Sequence, residues 1–103
     1  WHPYFSFGTR VDDLQMQLRC NTMLEFDEEL LPTGKELPVN PFGKLSPIGT
    51  VLLDNSFLVD PHQPQPAAIL RDVSKRLQLE IHTDSSYPIL QVYIPDHRNS
   101  IAI

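Results

Sequence analysis

Four histidines (His2, His62, His82 and His97), thirteen acidic residues and a single cysteine, Cys20, are the groups in this 103-residue chain best suited to chemistry. Their spacing gives several chemistries no support. There is no glycine-rich phosphate loop, no second cysteine to complete a zinc or disulfide pair, and no His-Glu-x-x-His run. Serines and histidines are scattered outside any nucleophile-elbow context. What remains is acid–base or binding chemistry. Taken alone, His2 is more often a structural or surface histidine than a catalyst. Asp54, beside Asn55, has a plainer alternative as a turn former. His62, His82 and His97 have no partner pattern and read as surface residues, and the acidic run Glu25-Phe26-Asp27-Glu28-Glu29 as a solvated face.

Composition narrows the partners. Hydrophobic residues make up 41% and charged residues 20%, which suits a globular domain spanning residues 1–103 rather than a disordered chain. The net charge is −5 and no basic cluster exists, so nucleic acid and anionic membrane are not expected partners. No apolar stretch reaches bilayer length. The lone cysteine fits a reducing compartment, and the expected location is cytoplasmic. Trp1, Tyr4, Phe5 and Phe7 at the start and Ser100-Ile101-Ala102-Ile103 at the end are dense in apolar residues, so both ends read as cuts through buried strands.

The elements that must position the reactive groups read as strands. Ten prolines argue against long helices. Leu14, Met16, Leu18 and Cys20 alternate with Gln15, Gln17 and Arg19, the period of two expected of a strand with one buried face. Leu77, Leu79 and Ile81 alternate in the same way. With the apolar run at 67–71 and the turn formers Asp72 and Ser74 between them, 67–82 reads as a β-hairpin. Ile89-Leu90-Gln91-Val92-Tyr93-Ile94 reads as a further strand, ended by Pro95, with Tyr93 in the core or a cleft wall. Pro32-Thr33-Gly34-Lys35 reads as a turn, and Asp27–Leu31 as a short helical turn. The proline-dense stretch 36–66 reads as a long ordered loop anchored by Phe42, Ile48, Leu52 and Phe57. The sum is an all-β sandwich.

A family resemblance then brings in specific roles. His2-Pro3-Tyr4-Phe5 resembles the His-x-Tyr-Phe motif of aldose 1-epimerases, and further segments resemble that family in the same order. They are Leu30-Leu31-Pro32-Thr33-Gly34-Lys35, Asn40-Pro41-Phe42, Ile48-Gly49, Leu53-Asp54-Asn55-Ser56-Phe57, Leu77 through Asp84, and Leu90-Gln91-Val92-Tyr93. The resemblance implies part of a galactose mutarotase-like β-sandwich, or supersandwich, with antiparallel strands and long loops. It also implies an isomerase that interconverts the α and β anomers of hexoses such as galactose or glucose without a cofactor.

In such a reaction one group protonates the ring oxygen while another removes the proton of the anomeric hydroxyl; the ring opens to the aldehyde, turns and recloses. An acid titrating near neutrality suits the first step, and histidine is such a side chain. By resemblance His2 is the acid, Asp54 accepts hydrogen bonds from sugar hydroxyls, and Tyr4 is a wall or hydroxyl contact beside the acid. Two departures stand out. Gly43 replaces the family's Asp after Pro-Phe, and the family's glutamate base would fall after Ile103, with an upstream His and Arg before Trp1. The resemblance therefore implies little or no mutarotase activity from these residues alone. The alternatives are a carbohydrate-binding sandwich without turnover, and an inactive fragment that self-associates through strand edges. A hexose-6-phosphate substrate ranks lower, because no Arg/Lys cluster is present to hold a phosphate.

Overall fold

Alternating patterns dominate the chain, and in the computed structural model they become two antiparallel sheets; residues 2–26, 28–29, 31–37, 41–60 and 62–103 are described. The strands are β1 (Tyr4–Phe5), β2 (Gln15–Leu18), β3 (Cys20–Phe26), β4 (Pro32–Leu37), β5 (Ser46–Pro47), β6 (Asp54–Val59), β7 (Ala68–Asp72), β8 (Leu77–Ile81), β9 (Ile89–Tyr93) and β10 (Ile101–Ala102). One sheet has the order β1-β10-β9-β6-β3-β4, the other β5-β2-β7-β8. The helical structure among the described residues is one 3-10 turn, Val11–Asp13. The all-β antiparallel fold is the one the sequence predicts. The core holds Met16 and Leu18 of β2, Leu70 of β7, Phe57 of β6, Val92 of β9 and Ile101 of β10, all essentially inaccessible to solvent. Each such side chain contributes roughly 1.5–3 kcal/mol of burial free energy.

The hairpin at 67–82 forms as β7 and β8, with Ala68 opposite Ile81 and Asp72 opposite Leu77. The alternating segment 14–20 does not stay in one sheet. It breaks at Arg19, so β2 joins the four-stranded sheet and β3 the six-stranded one. The backbone N–H of Arg19 donates to Ala67 O at 2.8 Å, and its guanidinium reaches Pro64 O at 3.2 Å, which pins the crossing.

Four expectations need correction. The stretch 36–66 is not simply a loop, because it contains β5 and also β6, which pairs with β9 on one side and β3 on the other. Leu52 is 79% exposed, and its neighbour Leu53 is the buried anchor. The residues expected to form a turn at 32–35 lie within β4; Gly34 does take a positive φ of 84°, but as part of an irregularity where Leu24 pairs Glu36 and Phe26 pairs Pro32. Tyr4, placed in an apolar cluster by the sequence, is 59% exposed, whereas Phe5 and Phe7 pack against the core. Of the short helical turn expected at Asp27–Leu31, Asp27 and Leu30 lie outside the described residues, as does Trp1, and Glu28 and Glu29 form an exposed turn.

Two buried polar centres hold the edge of the six-stranded sheet that carries β1 and β10. Arg98, in the left-handed region at φ 57°, precedes β10. Its Nε donates to Asp12 Oδ1 at 2.5 Å and its Nη2 to Gly49 O at 2.9 Å, while Val11 N–H donates to Arg98 O. The Arg98 hydrogen bond and charge hold the Asp12 carboxyl below its ordinary value. On the other side, Asp72 is 1% exposed and accepts hydrogen bonds from the Ser74 hydroxyl at 2.6 Å and from Thr9. These donors lower its pKa. Lys75 Nζ donates to Phe7 O at 2.6 Å, so the β7–β8 turn is tied to the segment that follows β1.

Candidate active site

Cross-strand pairing places the candidate residues on one face. Tyr4 lies opposite Ala102, Ala102 opposite Tyr93, and Tyr93 opposite Asp54. Directly paired residues project from the same side of a sheet, so Tyr4, Tyr93 and Asp54 form one row across β1, β10, β9 and β6. Their strand neighbours Phe5, Val92 and Phe57 point the opposite way, into the core. Two residues along β9 and two along β6, Gln91 pairs with Ser56 on the same outer face as that row.

Gln91 links two of the predicted site residues. Its backbone carbonyl is 2.9 Å from His2 Nε2. Its side-chain Nε2 donates to Asp54 Oδ1 at 2.8 Å, and its Oε1 accepts the hydroxyl of Ser56. A carbonyl only accepts, so the contact with His2 requires a proton on Nε2. Nδ1 is then the ring nitrogen left to face a ligand. Tyr4 stands next to the imidazole, with ring centroids 6.3 Å apart and planes tilted by 40°. His2, Tyr4 and Asp54 are all solvent-exposed.

Beside this network a cleft of about 590 Å³ opens, lined by His2, Phe5, Ile81, Ile89, Gln91 and Ile103 among others. It is of the size that small-molecule sites take, roughly 300–1,000 Å³. His2 and Gln91 border it, but Tyr4 and Asp54 do not. The structure thus joins His2 to Asp54 through one intermediary and sets Tyr4 against His2.

Gln91 and Ser56 are the members of this network that sequence reasoning gave no role. A signal for Gln91 existed: a polar residue interrupts the apolar run Ile89-Leu90-Gln91-Val92-Tyr93-Ile94 at an outward position. His62, His82 and His97 are exposed and take no part in the network. Among the described residues no three His, Cys, Asp or Glu side chains gather to hold a metal ion. Cys20 is buried, and burial pushes its thiol up to about 12, which keeps it in the unreactive protonated form.

Comparison with known proteins places the family and the fold. The family model described as Aldose 1-epimerase matches residues 1–102. The crystal structure of a galactose mutarotase-like protein from Clostridium acetobutylicum superposes with a TM-score of 0.79 at 15% identity, covering 98% of this chain. At that identity the likeness is one of fold, the galactose mutarotase-like β-sandwich. The chain spans about a third, 34%, of the length of that protein. No curated protein sequence matches it. With the family model running over nearly every residue and the sandwich matching throughout, the chain belongs to the aldose 1-epimerase family.

Proposed function

We propose that this chain carries the acid half of a mutarotase site, in a protein that interconverts the anomers of an aldohexose such as galactose or glucose. Membership of the family makes a carbohydrate-related function the starting point. The observation that carries the finer reading is the Gln91 bridge, which couples His2 to Asp54 on one sheet face. In this reading the protonated His2 delivers a proton to the ring oxygen from Nδ1, while Nε2–H stays on the Gln91 carbonyl and fixes the ring plane. Asp54 has one carboxylate oxygen held by Gln91, and its Oδ2 has no hydrogen bond among the described residues. That oxygen accepts a sugar hydroxyl. Tyr4, in the same row, supplies a ring face and a hydroxyl. Orientation of this kind contributes because positioned groups convert an encounter into an intramolecular step.

Polarimetry of freshly dissolved α-galactose, on a protein that carries these residues together with the remainder of the site, tests the reading. Accelerated mutarotation that falls by at least about 100-fold in His2→Ala supports the assignment of the acid. Acceleration that persists unchanged in that variant sinks it. Sugar binding without turnover is the second reading. It is favoured by one observation: the network about His2 contains a single carboxylate, Asp54, while ring opening needs both a proton donor and a proton acceptor. Calorimetric titration with galactose that gives heat, alongside polarimetry that shows no acceleration by that more complete protein, selects it.

A further inference from the structure

Among the described residues the two sheets end in four strands, β1 and β4 in one and β5 and β8 in the other. Three of these edges carry features that discourage a further strand. β1 and β5 have two residues each, and β5 ends in Pro47. β4 begins with Pro32, holds Gly34 at positive φ and Lys35, and shifts register against β3. β8 differs from all three. Its five residues include no proline, glycine or lysine, and they keep unbroken register with β7 from Ala68–Ile81 to Asp72–Leu77. We propose that β8 is the contact between two copies of this chain, paired antiparallel about a two-fold axis at Leu79. The inference is independent of any sugar chemistry.

The residues of β8 are complementary to themselves. Leu77, Leu79 and Ile81 alternate onto the inner face, where Leu79 and Ile81 pack partly against the core and Leu77 is 47% exposed. In the two-fold register Leu77 faces Ile81 of the second copy, and Leu79 faces its equivalent. On the outer face Gln78 meets Glu80 of the second copy, an amide opposite a carboxylate. That face is ordered before the strands meet. Gln78 Nε2 donates to Glu80 Oε2 at 2.8 Å, His82 Nε2 lies 3.2 Å from Glu80 Oε1, and Arg71 Nε donates to Gln78 Oε1 at 2.8 Å.

Other registers lose this match. A slip of one residue sets apolar side chains against polar ones. Centring the axis on Glu80 puts two carboxylates directly opposite, and they repel. Centring it on Gln78 leaves Glu80 and Ile81 against the turn 73–76 of the other copy, outside any strand. The Leu79 register pairs the whole of β8 and joins the two four-stranded sheets into one. It also sets Leu77 of the second copy beside Ile81, which lines the cleft next to His2, so the dimer adds an apolar wall there.

The test uses the 103-residue chain. Sedimentation equilibrium should show monomer and dimer in exchange. Amide exchange at 78–80 should slow roughly tenfold between mainly monomeric and mainly dimeric samples, with exchange in β4 unchanged. Register is read by cross-linking. Cys20 is buried, so an introduced outer-face thiol is the reactive one. Mild oxidation of Gln78→Cys chains mixed with Glu80→Cys chains should link one of each, with a yield several-fold above that of either variant alone. A concentration-independent monomer, or slowing in β4 instead of β8, would overturn the contact, and neither measurement needs a variant. An equal yield from either variant alone would overturn the two-fold register at Leu79.

Discussion

Gln91 donates from its side-chain amide to Asp54 Oδ1 at 2.8 Å, across the register that pairs β9 with β6. The same residue accepts His2 on its backbone carbonyl. The orientation of the Asp54 carboxylate is therefore set by β9, and His2 is placed by the same strand. A hydrogen bond to an ionised acceptor is worth roughly 1.5–3 kcal/mol, enough to hold one carboxylate rotamer on an exposed face.

Removing that donor gives a direct prediction. Gln91→Ala leaves the backbone contact to His2 in place but frees Asp54 and strands the Ser56 hydroxyl. Galactose binding by calorimetry should weaken about tenfold, with only about 1 kcal/mol lost from folding stability. Gln91→Glu should bind as weakly or worse, because a second carboxylate cannot donate to Asp54 and repels it. Wild-type affinity in both variants would show that Asp54 does not contact the sugar.

Acid should unfold this chain through named groups. The Asp12 carboxyl is lowered by its hydrogen bond from Arg98, Asp72 by Ser74 and Thr9, and Glu80 by Gln78 and His82. Carboxyls with folded-state values below their unfolded ones stabilise the fold fully above about pH 4–4.5, their unfolded range. That stability is lost as pH falls through the folded values, because the unfolded chain then binds more protons. The urea midpoint should hold nearly level from neutral pH to about pH 5 and fall below about pH 4. Asp72→Asn should start lower and lose less on acidification. An unchanged midpoint at pH 3 would contradict this assignment.

The core should respond by depth, not by apolar character. Phe57 is fully buried and pairs Met23 on one side and Leu90 on the other, so Phe57→Ala should cost roughly 3–5 kcal/mol in chemical denaturation. Leu52 is 79% exposed, and Leu52→Ala should stay within about 0.5 kcal/mol. Comparable losses for the two would mean that the chain turns differently around 52–57.

Arg98 anchors the approach to β10. Arg98→Ala removes the donors to Asp12 and Gly49 together and should lower the denaturation midpoint clearly. Arg98→Lys, with one charged nitrogen in place of a planar fork, should fall between. Amide exchange should quicken at Ile101 and Ala102, which follow the anchor. Exchange at β10 as slow as in wild type would separate Arg98 from the placement of that strand.

Self-association is proposed at a sheet edge. β8 stands at one end of the four-stranded sheet, with Leu77 47% exposed. Edge strands with unpaired backbone groups recruit further strands. Sedimentation should show dimers that grow with concentration, and Leu77→Lys should shift the balance to monomer. A concentration-independent monomer would remove this proposal.

The sequence by itself determined the all-β class, the hairpin of β7 and β8, the strand at β9 and the grouping of His2 with Tyr4. These are local properties: side chains alternate with a period of two along any strand, and turn residues declare themselves by type. Tertiary structure alone decided the rest. Asp54-Asn55-Ser56 looks like a turn in one dimension, yet it begins a strand paired on both sides, because the Asp54 and Ser56 side chains find a shared partner, Gln91, on the face away from the core. Leu18 and Cys20 share one alternating pattern but enter different sheets, since hydrogen bonds from Arg19 to Ala67 and Pro64, about 45 residues away, set the crossing. The joining of His2 to Asp54 through Gln91 likewise depends on pairing between strands far apart in the chain. Register of that kind is a property of the folded sheet, fixed by which side chains the core accepts.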